Sequence, residues 1–390
     1  MKLFVLLSRV PYPTEKGDKL RAFNHLKYLS QNNEIILCAL SSTRIHPEAL
    51  QKLKPYCSEI HIVRLCPWEI LTGLIWAFFT GKPMQVGFFY SFFAKRKILK
   101  LIKATAPDHL FCQLVRTAEY VRKLRIPKTL DYQDVFSAGY KRMAEMSDFI
   151  SRFFLMIESR RLARYERSVF EDFDNKTIIS FPDRDLIQHT SREKIIVIPN
   201  GVDAEYFQPV LQEKDMDIVF TGNMHYPPNV DAACFLVKEI LPIVLRTHPG
   251  VKVLLAGANP HQRVLSLHSG NVTVSGWVDD IRNSYASARV FIAPMQIGTG
   301  LQNKLLEAMA MGLPCITSPL ANNALGAEEG SEILVGHYPA EYAEHICRLL
   351  DDAVFAQKIA DRGRQFVLRT YDWNKTTNTL HQLMLNSKKG

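Results

Sequence analysis

This chain is organised around the stretch Gly298-Thr-Gly-Leu-Gln-Asn-Lys-Leu-Leu-Glu-Ala-Met-Ala-Met-Gly-Leu-Pro314, which Cys315-Ile-Thr-Ser318 follows. Two glycines open the stretch, where the backbone can turn tightly and approach a ligand. Apolar residues then recur at helical spacing, which predicts a helix beginning near Leu301. Gly312 and Pro314 predict its end, and the next four residues predict a short strand. A glycine turn that runs into a helix N-terminus indicates an anion-binding site.

Lys304 and Glu307 are three residues apart, so they share one face of this predicted helix. A cation near an anion site, with a carboxylate one turn deeper, suits a phosphate followed by the hydroxyls of a sugar. The alternative is a solvated ion pair worth a few tenths of a kcal/mol. Because the flanking residues are Leu, Ala and Met, we expect Glu307 to face a cleft, and the pattern favours a sugar-nucleotide site.

The composition describes a globular protein of two domains, since 390 residues exceed one ordinary core. The net charge of +9 predicts a surface that attracts anions. Seven dispersed cysteines indicate reduced thiols in a cytoplasmic protein, and the residue spacings indicate no metal site. The run Lys2–Arg9 is interpreted as a strand and not a signal peptide. No apolar run reaches the roughly 18 to 20 residues that span a bilayer.

The first half of the chain alternates apolar runs with helical patterns, which predicts a doubly wound parallel sheet. Ligands bind such sheets at the carboxyl ends of the strands, and the loops 11–21 and 131–137 lie at such ends. Asp18 and Asp134 are therefore candidate hydroxyl-binding acids, although isolated loop aspartates are more often turn residues. The predicted strands are Leu3–Leu7, Glu34–Leu40, Ile60–Leu65, His109–Cys112, Lys128–Asp131 and Lys176–Ser180.

A second series of strands and helices follows the turn Pro199-Asn-Gly201. Its predicted strands are Asp217–Gly222, Val251–Gly257, Val272–Val274, Ala288–Pro294 and Cys315–Ser318. A terminal helix is predicted from about Tyr371 to Leu385. The fold class is therefore α/β, with two Rossmann-like domains facing a central cleft. We predict an acceptor-binding domain at 1–198, a donor domain at 199–368, and a segment 369–390 that packs back on the first domain.

The segment Trp68–Lys103 departs from this alternation, because aromatic and aliphatic bulk stands beside a cluster of lysines and arginines. It predicts contact with an acidic membrane surface, made by Trp76, Phe78 and Phe79 among others. The alternative is a helical insertion packed within the domain, with its lysines solvated. The long helix predicted at Ser151–Asp172 is interpreted as surface-packing through residues such as Phe154. Nucleic-acid binding is not expected, since no such motif accompanies its arginines.

Several motifs of the second half, in this order, resemble glycosyltransferase family 4, whose members have the GT-B fold. They are Ile198-Pro-Asn-Gly-Val-Asp203, Phe220-Thr-Gly222, Leu255-Ala-Gly257, Gly276-Trp-Val278, Pro294 and Leu306-Glu-Ala-Met-Ala-Met-Gly-Leu-Pro314. The later Tyr371-Asp-Trp373 agrees with them. Asn303-Lys304 and Tyr226-Pro-Pro-Asn229 resemble a subgroup of sugar transferases associated with bacterial exopolysaccharide and exosortase (PEP-CTERM) systems. The first half matches mainly in its opening strand and the loop at Gly17.

This resemblance implies a retaining, metal-independent enzyme that moves a sugar from a nucleotide diphosphate donor to an acceptor hydroxyl, without a protein nucleophile. The family carries a Glu-x7-Glu pattern, whose second glutamate corresponds to Glu307 and implies a bond to the ribose hydroxyls. The first glutamate falls on Thr299, where this chain departs from the family. The N–H groups of Gly300, Leu301 and Gln302 are expected to meet the diphosphate or sugar, with Asn303 beside them.

A second departure concerns positive charge, because many relatives place Arg and Lys after the strand that ends at Gly222. This chain has Asn223, Met224, His225 and Asn229 there. A leaving nucleotide diphosphate develops negative charge, so we infer that Lys304 supplies the cation, assisted by Asn223 and His225. By position in the family, Val278 is expected to contact the base through its backbone. On the acceptor side we expect Gly17, Asp18 and Arg21, and we add Asp134 to Lys304 and Glu307 as a candidate catalytic residue.

Two other functions fit the same residues. Thr299 keeps open a non-catalytic sugar-nucleotide-binding partner of a polysaccharide export complex, and the fold also suits a GT-B sugar-nucleotide epimerase or hydrolase. The aromatic and basic segment Trp68–Lys103 favours transfer to a lipid-linked or polysaccharide acceptor, by a cytoplasmic protein peripheral to the inner face of the plasma membrane.

Overall fold

The structure is a computed structural model that describes residues 1–14, 16–145, 147–297 and 300–387. It contains two compact units, and each has a Rossmann-like α/β fold. Unit 1 comprises Met1–Pro199 and Trp373–Gly390, and unit 2 comprises Asn200–Asp372. The roles of acceptor and donor domain that we assign to them stay predictions.

Unit 1 is built on a parallel sheet of seven strands in the order β3-β2-β1-β4-β5-β6-β7. The strands are β1 Lys2–Leu7, β2 Glu34–Ser41, β3 Glu59–Arg64, β4 His109–Gln113, β5 Lys128–Gln133, β6 Asn175–Ile178 and β7 Ile196–Val197. Leu3 of β1 lies opposite Ile35 of β2 and His109 of β4, which fixes the register at the centre of the sheet. The apolar runs predict six of these strands, and the two-residue β7 was not predicted.

Both faces of this sheet are covered, as the continuous apolar run of β1 predicts. Phe4 and Leu6 point into one buried cluster, while Leu3, Val5 and Leu7 point into another on the opposite face. Helices cover these faces. In chain order they are α1 Gly17–Leu29, α2 Ala49–Leu53, α3 Pro67–Thr80, α4 Met84–Phe89, α5 Phe92–Thr105, α6 Ala118–Val121, α7 Phe136–Glu145, α8 Phe149–Val169 and α9 Phe181–Leu186.

Unit 2 is built on a second parallel sheet, in the order β10-β9-β8-β11-β12-β13. Its strands are β8 Met216–Thr221, β9 Val253–Ala256, β10 Val272–Gly276, β11 Ala288–Ala293, β12 Cys315–Thr317 and β13 Leu334–Val335. Its helices are α10 Pro227–Phe235, α11 Leu241–Val244, α12 Gln262–Leu265, α13 Ile281–Ala286, α14 Asn303–Ala310, α15 Pro319–Leu325, α16 Pro339–Asp351 and α17 Ala353–Thr370. The helix predicted to begin near Leu301 is α14, which begins two residues later.

The last helix, α18 (Trp373–Asn386), returns to unit 1 and packs on α1. The ring of Trp373 meets that of His25 edge-on, with centroids 5.8 Å apart. Leu380 and Met384 join the same buried cluster as Leu3. The chain therefore crosses between the units twice, near Pro199 and near Asp372.

The segment Trp68–Lys103 forms α3, α4 and most of α5. Two details differ from the sequence prediction. Trp76 stacks on Tyr90 with ring centroids 4.4 Å apart and packs against the core, so it is not an outward-facing residue. Phe154 of α8 is 65% exposed and does not pack against the domain. Across the described ranges, every helix is too short or too polar to span a bilayer.

Candidate active site

The candidate site lies at the carboxyl ends of β8 and β11. These strands are neighbours, and the sheet order reverses between them, because β9 follows on one side of β8 and β12 on the other side of β11. Open α/β sheets bind ligands at such a reversal point. A loop that begins at Gly222 follows β8, while residues 294–297 follow β11 and residues 300–302 precede α14. Gly298 and Thr299 lie outside the described residues, so the departure predicted at Thr299 is not located by the structure.

Two glycines allow the backbone to pack closely at this edge. Gly222 and Gly257 end neighbouring strands and have φ angles of +155° and +143°. A Cβ at Gly257 would lie 1.8 Å from the carbonyl oxygen of Gly222. A Cβ at Gly222 would in turn lie 2.8 Å from Nδ2 of Asn229 and 3.4 Å from Nζ of Lys304. Side chains are excluded at both positions, so the backbone of Gly222 lies directly against Asn229 and Lys304.

Lys304 is half-buried in the first turn of α14. Its Nζ donates to Oδ1 of Asn229 at 2.5 Å and lies 5.0 Å from the centre of the Phe220 ring. Asn229 is held in turn, because its Nδ2 donates to the carbonyl of Asn223 at 2.9 Å. Burial lowers the pKa of Lys304 to about 7, an effect that the charge of Glu307 opposes. The ammonium is therefore poorly compensated, which favours an anionic ligand beside it.

Glu307 lies one turn further along α14 and is also half-buried. Its Oε2 accepts a hydrogen bond from the hydroxyl of Tyr285 at 2.7 Å. Tyr285 is completely buried, and its hydroxyl lies 2.9 Å from Oγ1 of Thr221 at the end of β8. Burial raises the pKa of Glu307 to about 7, opposed by the Tyr285 bond and by Lys304. A carboxylate fixed through one oxygen and still open to solvent suits the binding of hydroxyl groups.

Lys304 and Glu307 thus bind different neighbours. Within the described part of the chain no ion pair joins them, and both side chains are half-buried, unlike the members of a solvated surface pair. The apolar flanks of the helix explain this outcome. Leu305, Leu306 and Ala308 are buried in the core of unit 2, which fixes the rotation of α14 and turns the two charged residues to the edge of the sheet.

The N-terminus of α14 is partly open. Gln302 is its N-cap but does not cap the helix, since its Nε2 turns back to the carbonyl of Gly300 at 2.9 Å. Leu301 packs against the core of unit 2, and Oδ1 of Asn303 accepts from Nδ2 of Asn200 at 3.1 Å. The first N–H groups of the helix and its positive dipole end therefore lie beside Lys304, as an anion site requires.

The remaining residues predicted to bind the donor lie on neighbouring loops of unit 2. Asn223 and His225 are exposed after β8, where Oδ1 of Asn223 accepts from the backbone N–H of His225 at 3.0 Å. The ring of His225 lies 5.8 Å from that of His261, which the sequence did not single out. Val278 is half-buried two residues after β10. Within the described residues, no group of three or more His, Cys, Asp or Glu side chains is arranged to hold a metal ion.

Unit 1 has its own reversal point, between β1 and β4. Asp18, in the first turn of α1, lies there: its Oδ2 accepts from Arg9 at 3.1 Å, and its carbonyl accepts from Nε2 of Gln113 at 3.0 Å. Asp134 is exposed just after β5, and Gly17 begins α1 with open space where a Cβ would lie. These three predicted residues therefore lie at the carboxyl edge of the sheet.

Arg21 corrects the prediction for this edge. Its side chain is completely buried and donates from Nε and Nη2 to the two oxygens of Asp131, at 2.7 and 3.0 Å. A group with no exposed surface cannot touch an acceptor, so Arg21 is a structural residue and not an acceptor-side residue. Two other arginines, Arg9 and Arg116, lie near this edge and were not singled out by the sequence analysis. The guanidinium of Arg116 lies 4.9 Å from the Phe89 ring and 4.5 Å from the Phe136 ring, and burial lowers its pKa to about 10.

Comparison with known proteins finds a matching family, similar sequences and similar structures. Residues 215–352 match the family described as Glycosyl transferases group 1. An uncharacterized 44.6 kDa protein in the cps region of Klebsiella pneumoniae is 20% identical, over 97% of this chain and 98% of its own length. UDP-Gal:alpha-D-GlcNAc-diphosphoundecaprenol alpha-1,3-galactosyltransferase of Escherichia coli is 28% identical, over 41% of this chain and 46% of its own length. HepE from Anabaena, solved in complex with UDP, superimposes with a TM-score of 0.69 at 14% identity, over 99% of this chain and 100% of that one.

Proposed function

We propose that the chain, which has the GT-B fold, is a glycosyltransferase that transfers a sugar from a nucleoside diphosphate donor to an acceptor hydroxyl. We further propose that the reaction retains the anomeric configuration, needs no metal ion and serves the synthesis of an exopolysaccharide or another surface glycan. Two relatives support this role. One is named from a cps region, and the other is named for transfer to a diphosphoundecaprenol-linked sugar. The acceptor is accordingly a lipid-linked or polysaccharide hydroxyl.

One observation carries this proposal: a half-buried cation and a half-buried carboxylate stand one turn apart on α14, each fixed by a neutral partner. Asn229 holds Lys304, and Tyr285 holds Glu307. Because the two groups do not bind each other, both remain available to a ligand. A diphosphate beside Lys304 and ribose hydroxyls beside Glu307 would satisfy both groups.

Lys304 stabilises the leaving group in this scheme. Cleavage of the bond between sugar and diphosphate leaves negative charge on a phosphate oxygen, and a preorganised ammonium with little water around it stabilises that charge strongly. The open N-terminus of α14 adds its N–H groups at Gly300–Asn303, and the loop after β8 adds Asn223 and His225 as further donors. Val278 contacts the base through its backbone.

The acceptor is proposed to bind at the carboxyl edge of unit 1, where Asp18 and Asp134 can accept hydrogen bonds from its hydroxyl groups. No protein nucleophile is required. The acceptor oxygen attacks the anomeric carbon, the bond to the diphosphate breaks, and the departing phosphate oxygen takes the acceptor's proton. Asp134 orients the acceptor and is not covalently bound.

Transfer is tested directly with the whole chain, a panel of labelled nucleotide sugars and a lipid-linked oligosaccharide acceptor, with and without EDTA. We expect label on the acceptor, at the same rate in both conditions. Release of free labelled sugar without transfer would indicate a hydrolase, and binding without turnover would indicate a non-catalytic partner. Either result would contradict the proposal, and loss of transfer in EDTA would contradict metal independence.

The role of Lys304 is tested by Lys304→Ala. We expect at least a hundredfold loss of kcat, roughly 2.7 kcal/mol, because the charge on the leaving diphosphate loses its cation. Lys358→Ala is the matched control, since Lys358 is an exposed lysine on α17 of the same unit. Near-normal transfer by Lys304→Ala would rule out this role.

A further inference from the structure

Two clusters of exposed large apolar side chains stand out among the described residues of unit 1. The α3–α5 patch consists of Trp68, Leu71, Ile75, Phe78, Phe79, Phe92 and Phe93, of which Phe79 is 81% exposed and Trp68 is 76% exposed. The α8 tip consists of Phe149, Ile150, Phe153 and Phe154, which are 88, 69, 61 and 65% exposed. Clusters of exposed aromatic side chains of this kind mark sites of interaction with another protein or with a membrane.

Hydrogen bonds tie the two places together. The carboxylate of Glu158 on α8 accepts from the backbone N–H groups of Met84 and Gln85, at 3.0 and 2.9 Å. The turn that follows Phe79 therefore lies against α8. Phe154 precedes Glu158 by one helical turn, so it lies on that same side of α8. Nε2 of Gln85 also donates to the hydroxyl of Tyr140 on α7 at 2.6 Å. The α3–α5 patch and the α8 tip therefore belong to one connected part of unit 1.

Positive charge surrounds this surface. Residues 67–105 contain six basic and one acidic side chains, and residues 136–164 contain six basic and three acidic ones. Three of those acids already cap helices. Glu69 accepts from the backbone N–H of Cys66, Glu158 accepts as described, and Asp148 accepts from two N–H groups at the start of α8. On α5 the exposed Arg96 lies over Phe92, with its guanidinium carbon 4.6 Å from the ring centre.

We propose that the α3–α5 patch and the α8 tip dock together on an anionic lipid bilayer. Residues 149–154 are exposed on every side of the helix. A flat protein partner would cover only one side of such a tip, whereas the interfacial region of a bilayer surrounds it. Aromatic side chains favour that region, and the neighbouring lysines and arginines attract acidic headgroups. A second copy of the chain would also bring like charges together, which opposes self-association through this surface.

Sedimentation with lipid vesicles tests the proposal without any turnover, so its failure is distinguishable from failure of the proposed glycosyl transfer. The whole chain is mixed with vesicles of phosphatidylcholine alone or with 30% phosphatidylglycerol added. We expect binding to the anionic vesicles, and at least tenfold weaker binding to the neutral ones or in high salt. Equal binding to both vesicles, or no binding to either, would overturn the proposal.

Matched variants test which residues make the contact. Phe149→Gln with Phe153→Gln removes bulk from the α8 tip, and Phe78→Gln with Phe79→Gln removes it from the α3–α5 patch. We expect each pair to weaken binding at least tenfold, and Lys97→Gln with Lys100→Gln to do so on anionic vesicles. Leu211→Ser with Val354→Ser, and Lys252→Gln with Lys358→Gln, are controls at exposed positions of unit 2 and should bind like the wild type.

Thermal unfolding confirms that each variant is folded, which is expected because every substituted side chain is exposed. If the α8 tip variant binds vesicles like the wild type, the tip is not part of the surface. If light scattering instead shows a dimer that the tip variant converts to a monomer, with vesicle binding unchanged, the occupant is a second copy and the proposal is wrong.

Discussion

Each unit brings a cation and a carboxylate close together. In unit 1 these are Arg21 and Asp131, which bind each other. In unit 2 they are Lys304 and Glu307, which do not. Arg21 and Asp131 have no exposed side-chain surface, and Oγ1 of Thr177 adds a hydrogen bond to Asp131 at 2.9 Å. Lys304 and Glu307 are half-buried and are held by the neutral partners Asn229 and Tyr285.

This difference separates a structural charge pair from the proposed binding site. A fully satisfied buried pair has nothing left to offer a ligand, and its energetic effect appears only when one partner is removed. A charge held by a neutral partner, and partly stripped of water, is stabilised when a ligand of opposite charge arrives. The shifts in the pKa values of Lys304 and Glu307 toward 7 express that incomplete compensation.

Removing one partner of the buried pair should have the largest effect. Arg21→Ala leaves the carboxylate of Asp131 buried and unpaired, so we expect the free energy of unfolding of unit 1 to fall by about 3–5 kcal/mol. Denaturant unfolding measures it. Arg246→Ala, at an exposed arginine, should change stability by less than about 0.5 kcal/mol. An Arg21→Ala variant as stable as the wild type, with weakened acceptor binding, would restore the acceptor-side role of Arg21.

The unpaired site should respond to pH. Burial lowers the pKa of Lys304 to about 7, so above pH 7 the free protein must take up a proton to present an ammonium to a diphosphate. We expect the affinity for a nucleoside diphosphate, with UDP as the probe in titration calorimetry, to fall between pH 7 and 9, by up to about tenfold per pH unit. Lys304→Met should bind weakly and lose this slope. An unchanged slope in the variant would assign the dependence to another group.

The same shift has a consequence for stability, with a defined sign. The folded-state pKa of Lys304 lies below its value of 10.5 in the unfolded chain, so between pH 7 and 10.5 the unfolded chain binds more protons. Its contribution to the free energy of unfolding therefore rises with pH in that window. Glu307, whose folded pKa is raised from 4.5 to about 7, contributes stability that falls as pH rises between those values. The difference between wild type and Lys304→Met isolates the lysine.

The sequence predicts most of this architecture because its apolar runs and glycine turns are local signals. It also predicts that Lys304 and Glu307 share the less buried face of α14, since the apolar flanks of that helix pack into the core. The sequence pattern cannot identify hydrogen-bond partners that lie far apart along the chain and meet only in the folded protein. Tyr285 lies 22 residues before Glu307, Asn229 lies 75 residues before Lys304, and Asp131 lies 110 residues after Arg21. Arg21 was therefore mistaken for an exposed group.

The α8 tip shows a second limit of sequence patterns. Phe154 stands at helical spacing from Ile157, Leu162 and Tyr165, which is typical of a packing face. Leu162 and Tyr165 are buried, as the pattern predicts, but the first turns of α8 extend beyond the core. Helical periodicity predicts which residues share a face of the helix. It does not predict how far the neighbouring helices and strands extend along that face. The length of a helix that remains uncovered is set by tertiary packing alone.

The smallest effect should come from the hydroxyl that holds Glu307. Tyr285→Phe removes the bond to Glu307 and the contact with Thr221 while keeping the buried ring, so we expect UDP to bind roughly tenfold more weakly, about 1–1.5 kcal/mol. Tyr342→Phe is the matched control. Tyr342 is equally enclosed in unit 2, but its hydroxyl has no hydrogen-bond partner among the described residues. Binding should therefore be unchanged in Tyr342→Phe. If the two variants bind UDP equally well, Glu307 needs no fixed orientation, and the contrast with the buried Arg21–Asp131 pair reduces to a difference in exposure.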